Sequence, residues 1–125
     1  MQDLNQLQAY LRQFAKDRDW DQFHSPKNLS MALSVEVSEL LENFQWLTEE
    51  QSHTLDELQR AAVADEIADV QMYLARLADK LDINIGEAIE QKIVKNEAKY
   101  PADKVKGSSK KYTAYGKESQ TDSEK

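Results

Sequence analysis

The scarcity of glycine and proline is the feature that most constrains the fold of this chain. Only three glycines and two prolines occur in 125 residues, which leaves little material for the tight turns that join the strands of a sheet. A mainly helical fold is therefore predicted. The length is most simply that of one domain with one sizeable core.

Composition excludes several classes of protein. The formal net charge of −7 argues against non-specific binding to nucleic acid, which needs a basic surface. The absence of cysteine excludes disulfides and thiolate metal sites. No apolar run approaches the roughly 18 residues of a membrane span, and the polar N-terminus is unlike a secretory signal. We expect an acidic, soluble, cytoplasmic chain.

Apolar periodicity predicts the first two helices. The first covers 4–14, with Asp3 as a plausible N-cap. The segment after it breaks the periodicity. Ser25 followed by Pro26 is a good helix start, because proline is tolerated in the first turn. We expect the second helix to run from there to Leu47.

Two further helices are predicted after a loop at 48–53. Thr54 with Glu57 three residues later makes a capping box that opens a long third helix, which ends near Leu81. Asn84 opens a fourth helix that ends before Pro101. The sequence thus predicts an all-α, four-helix-type bundle in a single domain over 1–113, followed by a polar, disordered tail over 114–125.

The second helix carries two acidic residues on or beside its apolar face. On a helical wheel with Glu36 at zero, Leu40 falls at about 40° and Phe44 at about 80°. Glu36 therefore lies within the apolar arc, and Glu39, at about 300°, lies at its edge. The third helix repeats the pattern, with Glu66 inside the arc and Asp69 at its edge.

If the two apolar faces meet, the four carboxylates converge. Burying ionised carboxylates together is costly unless a cation compensates them. All-oxygen ligation suits Mg²⁺, with Mn²⁺ as a possible substitute. Ferritin-like iron sites instead use Glu-x-x-His, and neither His24 nor His53 stands three residues after a candidate glutamate. This disfavours a metal-carboxylate redox bundle.

A simpler interpretation treats each acid pair as ordinary solvated helix residues, as most such patterns are. The chain would then be a non-catalytic helical interaction module with a charged surface. The repetition of the pattern in both helices favours the metal site.

Several segments together resemble the all-α nucleoside triphosphate pyrophosphohydrolases of the MazG-like group. E-x-x-E on one helix and E-x-x-D about thirty residues later look like the metal motif of that family. The dCTP pyrophosphatase branch is further suggested by the segments RDWDQFHSPKNL (18–29), FQW (44–46), DEIADVQMYL (65–74), NEAKYP (96–101) and SSKKYT (108–113).

The resemblance implies an enzyme that converts a dNTP to a dNMP and pyrophosphate, with dCTP-like pyrimidines favoured and with a role in cleansing the nucleotide pool. The implied Mg²⁺ ligands are Glu36, Glu39, Glu66 and Asp69. In the family the metal binds the triphosphate and positions a water that attacks the α-phosphorus. Glu36 is our choice for the base that accepts the proton of that water.

The resemblance also implies a set of substrate contacts. Trp20 and Trp46 could stack a pyrimidine, although a lone tryptophan usually serves packing, and Tyr73 points toward the acidic face. Lys92, Lys110 and Lys111 resemble phosphate contacts, although such lysines are often only solvated. The other implied contacts are His24, Asn96 and Tyr100.

The chain departs from the family pattern at four positions. Val35 and Ser38 replace small residues beside the glutamates, and Val94 replaces an acid. Leu11 stands where close relatives carry a histidine, which puts the preference for dCTP in doubt. Short amphipathic helices and the resemblance together predict a homodimer or a dimer-of-dimers homotetramer, with a neighbour completing the active site.

Overall fold

The computed structural model describes residues 3–107, which are helical and contain no strand. The helices are α1 (Leu4–Asp17), α2 (Pro26–Glu42), α3 (Glu49–Ser52), α4 (Glu57–Lys80), α5 (Ile85–Lys99) and α6 (Ala102–Val105). A short 3₁₀ turn, Asp21–Phe23, precedes α2. The all-α prediction is confirmed for this part of the chain.

The N-terminus of α1 is as predicted, with the Asp3 side chain accepting a hydrogen bond from the Gln6 backbone. At its C-terminus, Asp19 adopts a left-handed φ of 55°. The Trp20 N–H then donates to the Ala15 carbonyl at 2.9 Å, and the Asp19 N–H donates to Lys16 at 3.1 Å. This pair of bonds is a Schellman motif, which satisfies the last carbonyls of the helix and reverses the chain.

Helix α2 begins as predicted, with Ser25 as N-cap and Pro26 at the first helical position. The prediction that it continues to Leu47 is wrong, because it ends at Glu42. The Asn43 side-chain amide donates to the carbonyl of Glu39 at 3.2 Å. Such a side chain competes with the backbone for helical hydrogen bonds, and the residues that follow form turns.

The segment predicted as a loop contains the short helix α3. Thr48 and Gln51 form its capping box. The predicted capping box at Thr54 is also wrong, since Asp56 caps α4 and Gln59 completes the box. The Asp56 carboxylate accepts from the Gln59 N–H at 2.8 Å, and the Gln59 side chain accepts from the Asp56 N–H at 3.0 Å.

The chain divides into two compact units, Met1–Ile85 and Gly86–Lys125, and each is described by itself. Helix α5, which belongs to the second unit apart from its first residue, begins directly after Asn84 and ends two residues before Pro101, as predicted. The short helix α6 was not predicted. One domain over 1–113 remains a prediction, and the tail over 114–125 lies outside the described residues.

In the first unit, α4 packs against both α1 and α2. The buried apolar residues are small apart from Leu29, which is 1% exposed; the others are Ala15, Ala75 and Ala78. Small side chains let helix backbones approach closely, so the core is tight but modest in area. None of the helices in residues 3–107 combines the length and the hydropathy that a membrane span requires.

Candidate active site

Three carboxylates from two helices meet in the first unit. Glu36 and Glu39 lie one turn apart on α2, and Glu66 lies on α4, which packs against α2. One oxygen from each carboxylate lies within 4.8 Å of the others, and all three residues are half-buried. The predicted meeting of the two acidic faces is therefore present for these residues.

The environment of these carboxylates disfavours their charged forms. Burial raises the pKa of Glu36 from its ordinary value of 4.5 to about 7, and the neighbouring Glu39, Asp69 and Glu66 act in the same direction. Burial, followed by the charges of Glu39 and Asp69, also raises the pKa of Glu66. One oxygen of Glu36 and one of Glu66 are buried without a hydrogen-bond partner among the described residues.

These observations fit a divalent cation. A buried carboxylate oxygen without a partner is unfavourable, and oxygen donors in a compact group are what Mg²⁺ and Mn²⁺ prefer. Glu36, Glu39 and Glu66 could hold such an ion. Asp69 does not belong to this compact triad, although it is close enough for its charge to raise the pKa of both Glu36 and Glu66. Its role as a fourth ligand remains a prediction.

A pocket of about 450 Å³ lies beside the acidic triad, with Asp69 in its wall. It is bounded by α1, by the segment between α1 and α2, and by α4. Aromatic and apolar side chains make up most of the lining, which consists of Tyr10, Leu11, Phe14, Ala15, Trp20, His24, Asp69, Met72, Tyr73 and Arg76. Asp69 thus connects the acidic triad to this aromatic pocket.

Local structure explains how Trp20 and His24 reach the pocket. The Schellman motif at the end of α1 turns the chain back, so that the Trp20 ring packs edge-on against Phe14 with 5.8 Å between centroids. The Trp20 and His24 rings are also edge-on, with 6.4 Å between centroids. Tyr73 joins them from α4, one turn after Asp69. The structure therefore brings together three of the predicted substrate contacts.

Arg76 is a pocket residue that sequence reasoning missed. Its side chain is only 5% exposed and forms ion pairs with Asp21 and Asp79. Its Nε donates to His24 Nδ1 at 3.1 Å. A signal was available, because Arg76 falls at about 280° on the α4 wheel, roughly 20° from Asp69, which places a charged residue on the pocket side of the helix.

Other predicted site residues do not join this pocket within the described part of the chain. Trp46 follows α2 and is 87% exposed. Lys92 and Asn96 lie exposed on α5, and Tyr100 follows that helix, all in the second unit. Lys110 and Lys111 lie outside the described residues. The substrate-binding roles of these six residues remain predictions.

The chain is similar to known proteins over most of its length. The sequence profile of the MazG-like family matches residues 31–114. The proteins named dCTP pyrophosphatase 1 from Mus musculus and Homo sapiens are each 40% identical to it over 115 residues, which is 90% of this chain. The chain spans 66% of the length of these relatives.

A solved structure is also similar. The crystal structure of a pyrophosphatase from Archaeoglobus fulgidus DSM 4304 aligns with a TM-score of 0.73 and 44% sequence identity, covering 78% of this chain and 91% of that protein. An all-helical fold is therefore shared with a protein described as a pyrophosphatase.

Proposed function

The chain belongs to the MazG-like family, and from that premise we propose that it is a divalent-metal-dependent nucleoside triphosphate pyrophosphohydrolase. The proposed reaction is dNTP plus water giving dNMP plus pyrophosphate. Relatives named dCTP pyrophosphatase 1 and a solved structure named a pyrophosphatase support this reaction.

One observation carries the proposal. Among the residues that the structure describes, one buried oxygen of Glu36 and one of Glu66 have no hydrogen-bond partner. Both belong to a carboxylate triad that lies beside an aromatic pocket, and Asp69 adjoins the triad and the pocket. A nucleotide has an anionic end and a flat apolar end. The anionic triphosphate end would need a cation in order to approach these acids. The flat end, which is the nucleobase, suits a pocket with aromatic walls.

Glu36, Glu39 and Glu66 would hold the cation, with Asp69 as the proposed fourth ligand. When bound, such an ion neutralises charge on the phosphates and makes water a better nucleophile at neutral pH. Mg²⁺ is the proposed ion, and Mn²⁺ has the same preference for oxygen ligands.

Glu36 is the proposed general base. In the reaction the water oxygen bonds to the α-phosphorus, the bond from that phosphorus to the oxygen bridging it to the β-phosphorus breaks, and pyrophosphate leaves. The proton of the water needs an acceptor. In the metal-free chain, burial and the surrounding acids raise the pKa of Glu36 to about 7. A bound cation favours the ionised carboxylate, so the role of base needs an oxygen of Glu36 that does not contact the ion.

The aromatic pocket is the proposed site for the base of the nucleotide. Trp20 and Tyr73 supply aromatic surface in its walls, and we propose that a pyrimidine stacks there, with dCTP as the first substrate to test. The Leu11 side chain lines the same pocket. The position at which this chain departs from the histidine of its close relatives therefore lies where the nucleobase is proposed to bind. The identity of residue 11 therefore bears on which nucleobase is accepted and not on the cleavage of the phosphoanhydride bond.

Lys92, Asn96 and Tyr100 of the second unit remain proposed contacts to the nucleotide, as do Lys110 and Lys111. Their support is the family pattern alone. A role in removing unwanted nucleotides from the pool follows from the same resemblance.

A second copy of the chain is proposed to complete the enzyme. Large apolar side chains of α2 and α4 are exposed in the single chain, including Val37, Leu41, Leu58 and Ile67. Exposed apolar surface of this kind is typical of helices that pack against a partner subunit. Trp46 is almost wholly exposed, and we propose that it reaches the pocket of the neighbouring subunit in a homodimer or homotetramer.

Pyrophosphate release from a panel of dNTPs and NTPs with Mg²⁺ tests the proposed function. We expect release from the wild type, greatest with dCTP or a 5-substituted dCTP. Glu66→Gln should lower kcat/KM by about a hundredfold or more, because it removes a charged ligand of the cation that would neutralise the reacting phosphates. Asp65→Asn is the matched control, since it neutralises an exposed acid next in sequence.

Equal activity of Glu66→Gln and Asp65→Asn would contradict the assignment of the triad. No pyrophosphate from any nucleotide would contradict the reaction itself and would leave the helical interaction module as the better account.

A further inference from the structure

The contacts of His24 define which of its ring nitrogens carries a proton. Nδ1 of His24 lies 3.1 Å from Nε of Arg76. A guanidinium group has N–H donors and no acceptor, so the Arg76 nitrogen donates and His24 Nδ1 must be the acceptor with a free lone pair. In a neutral ring the proton is then on Nε2.

The guanidinium group of Arg76 is held in place by three partners at once. Nη1 donates to Asp79 at 3.1 Å, Nη2 pairs with Asp21, and Nε faces His24. Lys80 also pairs with Asp21 at 2.9 Å. A buried arginine with both ends of its planar group engaged cannot rotate freely, so the direction of its Nε–H is fixed by the fold.

His24 also has the surroundings of a neutral ring. Burial lowers the pKa of His24, and the positive charge of Arg76 lowers it further, against the opposing effect of Asp21. The ring lies edge-on to Trp20 and lines the aromatic pocket. Nε2 accordingly remains the nitrogen that is available to a ligand in this pocket.

We propose that Arg76 is a positioning residue that fixes His24 as its Nε2–H tautomer, so that the pocket presents one neutral hydrogen-bond donor to an acceptor atom on the base of a bound nucleotide. The identity of the ligand rests on the proposed function; the state of the ring does not. A carbonyl oxygen or an unprotonated ring nitrogen satisfies this donor, and an N–H group at the same position is rejected, because it would leave two donors facing each other.

The state of the ring is measurable without nucleotide. Long-range ¹H–¹⁵N correlation spectra of the imidazole groups distinguish the two neutral tautomers. At a pH where His24 is neutral, we expect its signals to be those of the Nε2–H form alone. His53 is exposed and serves as an internal reference for a ring that samples both tautomers.

Two variants separate positioning from general stability. Arg76→Met should move the His24 signals toward the average of two tautomers. Arg12→Met is the matched control, because Arg12 pairs with the same Asp79 carboxylate from the solvent side and has no hydrogen bond to His24. It should leave the His24 signals unchanged. A wild-type spectrum of the Nδ1–H form, or of a freely averaging ring, would overturn the proposal without the use of any variant.

Kinetics on dCTP then test the consequence for the substrate. Arg76→Met and His24→Leu should each raise KM by about tenfold, the effect of losing one neutral hydrogen bond, and change kcat by less than about twofold. The double variant should be no worse than His24→Leu alone, because Arg76 acts through His24. If the increases in KM of the two single variants added in the double variant, the proposal that Arg76 acts through His24 would be contradicted. An inactive wild type would overturn the proposed function, while the ring spectra would still decide the role of Arg76.

Discussion

Glu36 is the residue whose surroundings say most about the site. Its carboxyl is half-buried among other acids and has an oxygen without a hydrogen-bond partner in residues 3–107. The folded chain therefore favours its protonated form, with a pKa of about 7. A proton and a divalent cation are alternative ways to compensate the same charge. Competition between them should therefore appear in the stability of the protein.

The first prediction concerns pH without metal. Folding raises the pKa of Glu36, chiefly through burial, so the folded chain holds this proton more tightly than the unfolded chain does. With a metal chelator present, the contribution of Glu36 to the melting temperature should be greatest below about pH 4.5. This contribution should be lost as the pH rises from about 4.5 to about 7. Thermal unfolding followed by circular dichroism measures it.

Adding Mg²⁺ or Mn²⁺ should raise the melting temperature more at pH 8 than at pH 5.5, because the cation replaces the lost proton. Glu36→Gln should flatten the pH dependence between pH 4.5 and 7 and remove most of the gain from metal. Glu42→Gln, at the exposed end of α2, is the control and should behave as the wild type. A wild type whose stability does not change across this window would contradict the description of Glu36.

How far the sequence could predict the site depends on where each residue lies. The wheel positions of Glu36, Glu39 and Glu66 follow from helical periodicity, because the inward face of a helix is set by its apolar residues. Arg76 was missed because a single arginine in a helix is usually solvated, and because two of its three partners, Asp21 and His24, lie more than 50 residues away in the sequence. The prediction that Trp46 contacts the nucleotide depends on a second copy of the chain, because Trp46 is exposed in a single chain.

At the scale of helices, the chain reverses direction after α1 and after α4 through the same helix-terminating motif. Both α1 and α4 end in a Schellman motif with an aspartate in the left-handed conformation, Asp19 at a φ of 55° and Asp82 at 53°. After α4, the Ile83 N–H donates to the Ala78 carbonyl at 2.8 Å. Glycine is the usual residue at this position, because a side chain there is strained.

The second prediction follows from that strain. Asp82→Gly should stabilise the fold by up to about 1 kcal/mol, since glycine adopts a positive φ without the steric cost. Asp82→Val should destabilise it, because a β-branched side chain fits this conformation worst. Urea denaturation of both variants measures the difference. Equal stability of the two would show that the turn does not constrain this position.

The caps show why the ends of helices were harder to predict than their existence. Asp3 and Ser25 were predicted correctly, because Asp3 directly precedes a clear apolar repeat and Ser25 precedes a proline, which suits the first helical position. Thr54 and Asp56 are both good caps, and each is followed three residues later by a side chain that can complete a capping box. The spacing alone does not decide between them, and in the structure Asp56 and Gln59 form the box. The third prediction is that Asp56→Ala costs about 1 kcal/mol of unfolding free energy, whereas Thr54→Ala costs much less. Urea denaturation of the pair checks it, and an equal cost would contradict the assignment of the cap.

At the scale of the whole molecule, the buried core of one chain is small and many large apolar side chains remain exposed in the described part. This balance favours association of the chains.

The fourth prediction is that Leu41→Lys, on an exposed apolar position of α2, shifts the protein toward monomer in sedimentation experiments. Ser30→Lys, at an exposed polar position of the same helix, should not. A wild type that sediments as a monomer would contradict the proposed assembly.

The central claim is that the acids of α2 and α4 form one cation site. Titration calorimetry with Mn²⁺ at neutral pH, without nucleotide, tests it most directly. We expect the wild type and Asp65→Asn to bind Mn²⁺ alike, with release of a fraction of a proton, because Glu36 with a pKa of about 7 is only partly protonated at that pH. Glu66→Gln should bind at least about tenfold more weakly. Equal affinity of all three proteins, or no binding by the wild type, would contradict the claim.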